Sequence, residues 1–164
     1  MVRLIAIALL GLTGAAHPPR TPPPATEAIE YEIGPCLGSC PSFRLRVTSD
    51  GEGLFTGLQF TAVRGERRFR VSRAEFAAFT AALAPYRPPA GTARHYYYRQ
   101  PGCEEYGVEG RDAKLKWQDP AGAGELHHFS GCLGKTNEAM AAAIEKAPGL
   151  LRALTPLIGP RPRP

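Results

Sequence analysis

Cys36, Cys40, Cys103 and Cys132 carry the widest chemistry in this chain, as disulfide partners, thiol redox couples or soft metal ligands. Cys36 and Cys40 bracket Leu37-Gly38-Ser39, one residue too many for a thioredoxin-type motif, and no βαβ pattern surrounds them. A structural cross-link is therefore preferred over redox cycling. The 4 cysteines admit three pairings, and spacing does not choose among them. Closing Cys36 onto Cys40 needs Cα atoms within about 7 Å, hence a turn, which Gly38 makes inexpensive.

His127 and His128 are adjacent, so on a strand they point to opposite faces and cannot serve one metal together. Zinc would need one of them with Asp112, Glu104, Glu105 or His95, a set without recurring ligand spacing, and neither metal nor cofactor is expected. The enzymatic alternative, hydrolase-like or metal-type, uses Asp112 with His127 or His128 and the nearby tyrosines. It requires those groups to converge within hydrogen-bond reach in one cleft. No Gly-x-Ser-x-Gly, Ser-x-x-Lys or phosphate-cradling glycine loop is present, and Ser39 and Ser130 read as turn residues.

The run His95-Tyr96-Tyr97-Tyr98-Arg99 interleaves aromatics with cations, a composition suited to rings, sugar faces and protein partners and equally to packing a half-buried loop. An inhibitor-like protein would have to present Arg94 to Cys103 as a protruding loop.

Compartment follows from the amino terminus. Arg3 precedes the apolar run Leu4 to Leu12, and Gly14 and Ala16 are small residues suitably placed before a cut ahead of His17. Residues 1–16 read as a signal peptide, too short for the ~20 apolar residues of a membrane span. No transmembrane span is expected after cleavage. The protein is expected to be exported, periplasmic or extracellular, where disulfides form. Residues 17–27 form a Pro-rich leader, 28–158 a single domain and 159–164 a Pro/Arg tail. A hydrophobic content of 43% over 164 residues supports one genuine core. The net charge of +5 permits an anionic partner without requiring one, and nothing points to nucleic acid.

Ile29 to Ile33 alternates apolar with acidic and Phe43 to Val47 apolar with basic, the period of half-buried strands. Asp50-Gly51 is a turn. Leu54 to Phe60, broken at Gly57, and Arg67 to Val71 are further strands, with Phe69 and Val71 inward. Ser72 and Glu75 form a capping box for a helix over Arg73 to Ala84, whose Phe76, Phe79 and Leu83 mark a core face. Lys114 to Trp117 and Glu125 to Phe129 read as a hairpin, and Asn137 to Ile158 as a helix split in two at Pro148-Gly149. The expected architecture is α+β: an antiparallel sheet, meander plus hairpin, with helices packed on one face. The other face is expected to be basic, carrying Arg44, Arg46, Arg68, Arg70, Lys114 and Lys116.

From Ile29 to about Ile144, the order of elements and the signature Gly34-Pro35-Cys36-Leu37-Gly38-Ser39-Cys40-Pro41-Ser42-Phe43, followed by Asp50-Gly51, resembles domain of unknown function 6438, an uncharacterised bacterial family. Looser likenesses are Asp112 before a strand and His128-Phe129-Ser130-Gly131; the stretch His95 to Gly107 departs from the pattern. The resemblance implies an exported or envelope-associated domain and transfers no catalytic residue. It also implies pairing Cys36 with Cys40, which leaves Cys103 for Cys132. The resulting expectation is a non-catalytic, disulfide-stabilised binding module for an anionic envelope component or another protein. Its candidate binding residues are Arg44, Arg46, Arg68, Arg70, Tyr96, Tyr97, Tyr98 and Arg99.

Overall fold

The computed structural model describes residues 26–160. The expected signal peptide, the leader up to residue 25 and tail residues 161–164 lie outside the described residues. The chain folds as β1 (Ala28–Ile33), β2 (Ser42–Thr48), β3 (Glu52–Gln59), β4 (Gly65–Arg70), α1 (Arg73–Leu83), β5 (Ala93–Tyr96), β6 (Asp112–Asp119), β7 (Gly122–Phe129), α2 (Lys135–Lys146) and α3 (Thr155–Ile158). This is an α+β fold.

The strands form one seven-stranded sheet in the order β4-β3-β2-β1-β6-β7-β5. β1 lies at its centre, antiparallel to β2 on one side and β6 on the other. β5 breaks the expected all-antiparallel pattern by pairing parallel to β7. Ala93-Arg94-His95-Tyr96 is too short and too exposed to show the alternation that marks a half-buried strand.

Alternation selects the core. Ile29, Tyr31 and Ile33 of β1 and Phe43, Leu45 and Val47 of β2 are all buried, and they pack with Leu115, Trp117 and Leu126 against Phe76, Phe79 and Leu83 of α1 and Met140 and Ile144 of α2. Burying each such side chain stabilises the fold by about 1.5–3 kcal/mol. Tyr31 stays compatible with this interior by donating its hydroxyl to the Ile144 carbonyl at 3.1 Å. Burial pushes its phenol well above the ordinary range. Both arms of the Ser72–Glu75 capping box are present, and Glu75 also accepts from the Arg152 backbone at 3.1 Å, tying α1 to the C-terminal segment.

Two local expectations are corrected. Gly57 does not interrupt β3; a Cβ there would stand 1.9 Å from the Val63 carbonyl oxygen, so the glycine permits a close approach of the β3–β4 connection. The C-terminal segment is more finely divided than a helix in two pieces. Pro148 can donate no backbone hydrogen bond, and after α2 the chain proceeds through 3₁₀ turns at Ala147–Leu150 and Arg152–Leu154 before α3.

A charged trough and its histidine corner

The sheet face opposite Tyr31 and Leu45 lines a trough of about 590 Å³, bounded by Glu30, Glu32, Arg44, Arg46, Lys116 and His127 among others. Register builds it in rows. Across the sheet, Arg68, Leu54, Arg46, Glu30, Lys116 and Glu125 stand opposite one another in sequence, and Glu66, Thr56, Arg44, Glu32, Lys114, His127 and His95 form the next row. Such cross-strand neighbours lie about 4.5–5.5 Å apart at Cβ.

The six cations expected on this face are there, but they are interleaved with carboxylates, so the face is charge-alternating where a basic one was expected. Arg44 bonds Glu32 at 2.8 Å, Arg46 approaches Glu30 at 3.8 Å, Arg70 approaches Glu52 at 3.8 Å and Lys116 bonds Glu125 at 2.9 Å. The last pair holds Lys116 above its usual range and Glu125 below. The acidic partners were visible as Glu30 and Glu32 in β1, yet their opposition to Arg46 and Arg44 needs the register. Lys114 and Arg68 have no ion-pair partner among the described residues. Arg68 and Arg70 sit on edge strand β4, outside the trough lining.

At the far end of the trough, His127 Nε2 lies 2.8 Å from Asp112 Oδ1. The Tyr97 ring stacks on His127 with centroids 5.1 Å apart, and His95 meets it edge-on at 6.1 Å. Asp112, His127 and Tyr97 therefore converge. His128 faces the other way: it is 1% exposed, 6.1 Å from the Tyr96 ring, and its Nε2 has no partner. Burial, then the neighbouring His127, push its pKa down to about 4.

The tyrosine run serves packing first. Tyr96, Tyr97, Tyr98 and Tyr106 surround Phe129, Cys103 and Cys132 in a second apolar cluster. Arg99 is exposed at the turn that follows, with φ +60°. Asn137 donates to the Gly102 carbonyl at 2.8 Å, fastening this loop to α2.

Both disulfides are formed, Cys36–Cys40 with Cα atoms 5.6 Å apart and Cys103–Cys132 at 5.1 Å. No cysteine is left free as a thiolate ligand. Among the described residues, no cluster of three His, Cys, Asp or Glu could hold a metal ion, and no helix is long and apolar enough to cross a membrane. Gly38 takes φ +134°, the turn conformation that the Cys36–Cys40 bridge demands. A residue missed in the sequence holds this turn: Arg111 donates to both the Gly34 and Pro41 carbonyls. No local pattern marks Arg111, because its partners Gly34 and Pro41 lie 77 and 70 residues away.

A two-disulfide α+β domain with a charged trough on one side of its sheet is thus the class of molecule defined by fold and site. The family described as Domain of unknown function (DUF6438) matches residues 27–117, and the chain belongs to it. No curated protein and no solved structure is significantly similar to it.

Proposed function

We propose that this is an exported, non-catalytic binding module that presents its trough to an anionic envelope component, with the helices on the side away from the partner. The observation carrying this reading is a trough of about 590 Å³ along an open sheet face. Within it, Arg44 and Arg46 are held by exposed ion pairs to Glu32 and Glu30 and Lys116 by one to Glu125. Exposed pairs are worth about 0–1 kcal/mol each, so a multivalent anion can recruit the arginines at little cost. The amino-terminal segment supports export, and two bridged pairs suit an oxidising compartment.

The test is binding of disulfide-intact protein to alginate and to polyphosphate over about 50 to 300 mM salt. Affinity is expected to fall as salt rises and to drop in Arg44→Ala and Arg46→Ala, which also release the opposing glutamates. Binding that ignores salt, or none to either polymer, overturns the reading. Export is tested by sequencing the amino terminus of protein from outside the cytosol, expected to begin at His17.

The 2.8 Å contact between Asp112 and His127 favours a second reading, an acid–base site at the trough's end. It expects turnover of simple esters or phosphate esters that disappears in both Asp112→Asn and His127→Ala. Equal rates in all three proteins dismiss it.

A further inference from the structure

Lys114 occupies a distinctive place on the trough. Glu32, opposite it on β1, is already bonded to Arg44 at 2.8 Å. His127, opposite it on β7, is bonded to Asp112 at 2.8 Å. The exposed ammonium is thus flanked by two groups whose partners are taken, and it forms no ion pair among the described residues. A cation so placed attracts a small anion from solution.

The adjoining imidazole limits which anion fits. Nε2 lies 2.8 Å from Asp112 Oδ1, and when the ring directs an N–H there and carries no second proton, Nδ1 is left as an acceptor. Tyr97 stacked on the ring restrains its plane. A lone pair repels a bare carboxylate oxygen and accepts from a hydroxyl. An anion bearing hydroxyl groups satisfies Lys114 and His127 together, whereas acetate satisfies only the first and glucose only the second. His95, opposite His127 on β5, adds a ring and N–H at the rim.

We propose that Lys114 and His127, with His127 positioned by Asp112, form a subsite for a hydroxylated small anion, a sugar acid or sugar phosphate. This rests on reading the trough as an anion-binding face and names the unit it recognises. Lys114 takes the charged group, His127 takes a neighbouring hydroxyl, and Asp112 is a positioning residue that fixes the ring.

The test is titration of the intact protein with glucuronate, glucose 6-phosphate, acetate and glucose, followed by NMR shifts of the His127 ring and by calorimetry. At least one of the two hydroxylated anions is expected to bind about tenfold more tightly than both acetate and glucose, about 1.4 kcal/mol, and which one does so identifies the source. Lys114→Ala is expected to weaken that binding at least tenfold. Asp112→Leu, which removes the acceptor that fixes the ring, should erase the preference over acetate even though loss of the nearby carboxylate favours all anions alike, a selectivity effect that a merely structural role would not produce. Thermal melts of both variants check that they are folded. Acetate or glucose binding as tightly as the hydroxylated anions, no binding by any probe, or an unaffected Lys114→Ala overturns the subsite. If alginate or polyphosphate still binds in those cases, only the subsite falls. If a small hydroxylated anion binds through Lys114 and neither polymer does, the broader face reading falls instead.

Discussion

Arg111, immediately before β6, donates from Nε at 3.0 Å and Nη2 at 2.7 Å to the carbonyl oxygen of Gly34, immediately after β1. The same guanidinium reaches the Pro41 carbonyl, so one planar group closes the turn containing Cys36 and Cys40 from outside while the disulfide closes it from within. A lysine offers a single point donor and cannot reproduce the fork. Arg111→Met is expected to cost about 1.5 kcal/mol in urea unfolding, the low end for hydrogen bonds from a charged group. Arg111→Lys should recover less than half. In a double-mutant cycle with Cys36→Ser/Cys40→Ser, a coupling of at least about 0.5 kcal/mol is expected because both devices restrain one turn. Additive effects would show that they act separately.

The buried His128 makes stability depend on acid. Its folded pKa of about 4 lies below the ordinary 6.5, so the unfolded chain binds the extra proton between those values. Stability is therefore whole above about pH 6.5 and declines as pH falls, until the folded ring also protonates near pH 4. The loss attributable to His128 is up to about 3 kcal/mol. Glu75 and Asp119, held below their usual range by Ser72 and Arg87 respectively, lose their contributions at still lower pH. Urea unfolding at pH 7 and pH 5, read through the single Trp117, should show the decline in the parent and a much flatter profile in His128→Leu. Equal slopes in the two proteins refute the assignment.

The two staples should contribute unequally. In the chain-entropy view, the Cys36–Cys40 bridge, with a sequence separation of 4, stabilises by about 2 kcal/mol and Cys103–Cys132, with a separation of 29, by about 3.5 kcal/mol. The second also sits inside the cluster of Phe129 and the tyrosines, so its removal disturbs packing as well. Cys103→Ser/Cys132→Ser is expected to lower the urea midpoint more than Cys36→Ser/Cys40→Ser. The reverse order would mean that the signature turn governs the fold.

What the sequence disclosed and what it withheld divide along the range of the interaction. β1, β2 and α1 were legible because their signals are local: alternation at Ile29–Ile33 and Phe43–Val47, and a cap at Ser72 with Glu75 one turn on. β5 was not legible, since four residues with mostly exposed side chains give no period, and its parallel pairing to β7 is decided by tertiary docking. The site followed the same rule. His127 and His128 were separable by face from adjacency alone. That His127 meets Asp112, and that Glu30 and Glu32 neutralise Arg46 and Arg44, depends on registers no single segment encodes. Arg111 is the extreme case, with partners far away along the chain.

Gly57 and Gly149 offer a test of whether a glycine is present for space or only by default. Gly57 lies in β3 beside a one-residue register shift against β2, its backbone is not left-handed, and any side chain would meet the Val63 carbonyl at 1.9 Å and the Thr61 hydroxyl at 2.5 Å. Neither neighbour is free to yield. Thr61 Oγ1 donates to the Val63 carbonyl at 2.8 Å, and the backbone N–H groups of Ala62 and Val63 donate to the Ile158 and Leu157 carbonyls at 3.0 Å each, which anchors the connection to α3. Gly57→Ala must therefore displace β3 or break this anchorage, and overpacking of this kind costs about 1–3 kcal/mol. At Gly149 a Cβ meets nothing within 4 Å and the backbone is not left-handed, so Gly149→Ala should be neutral or stabilise by up to about 1 kcal/mol through the unfolded chain. Urea unfolding of the two variants side by side decides the matter, because similar effects at both positions would mean that the approach of Val63 to β3 does not constrain residue 57.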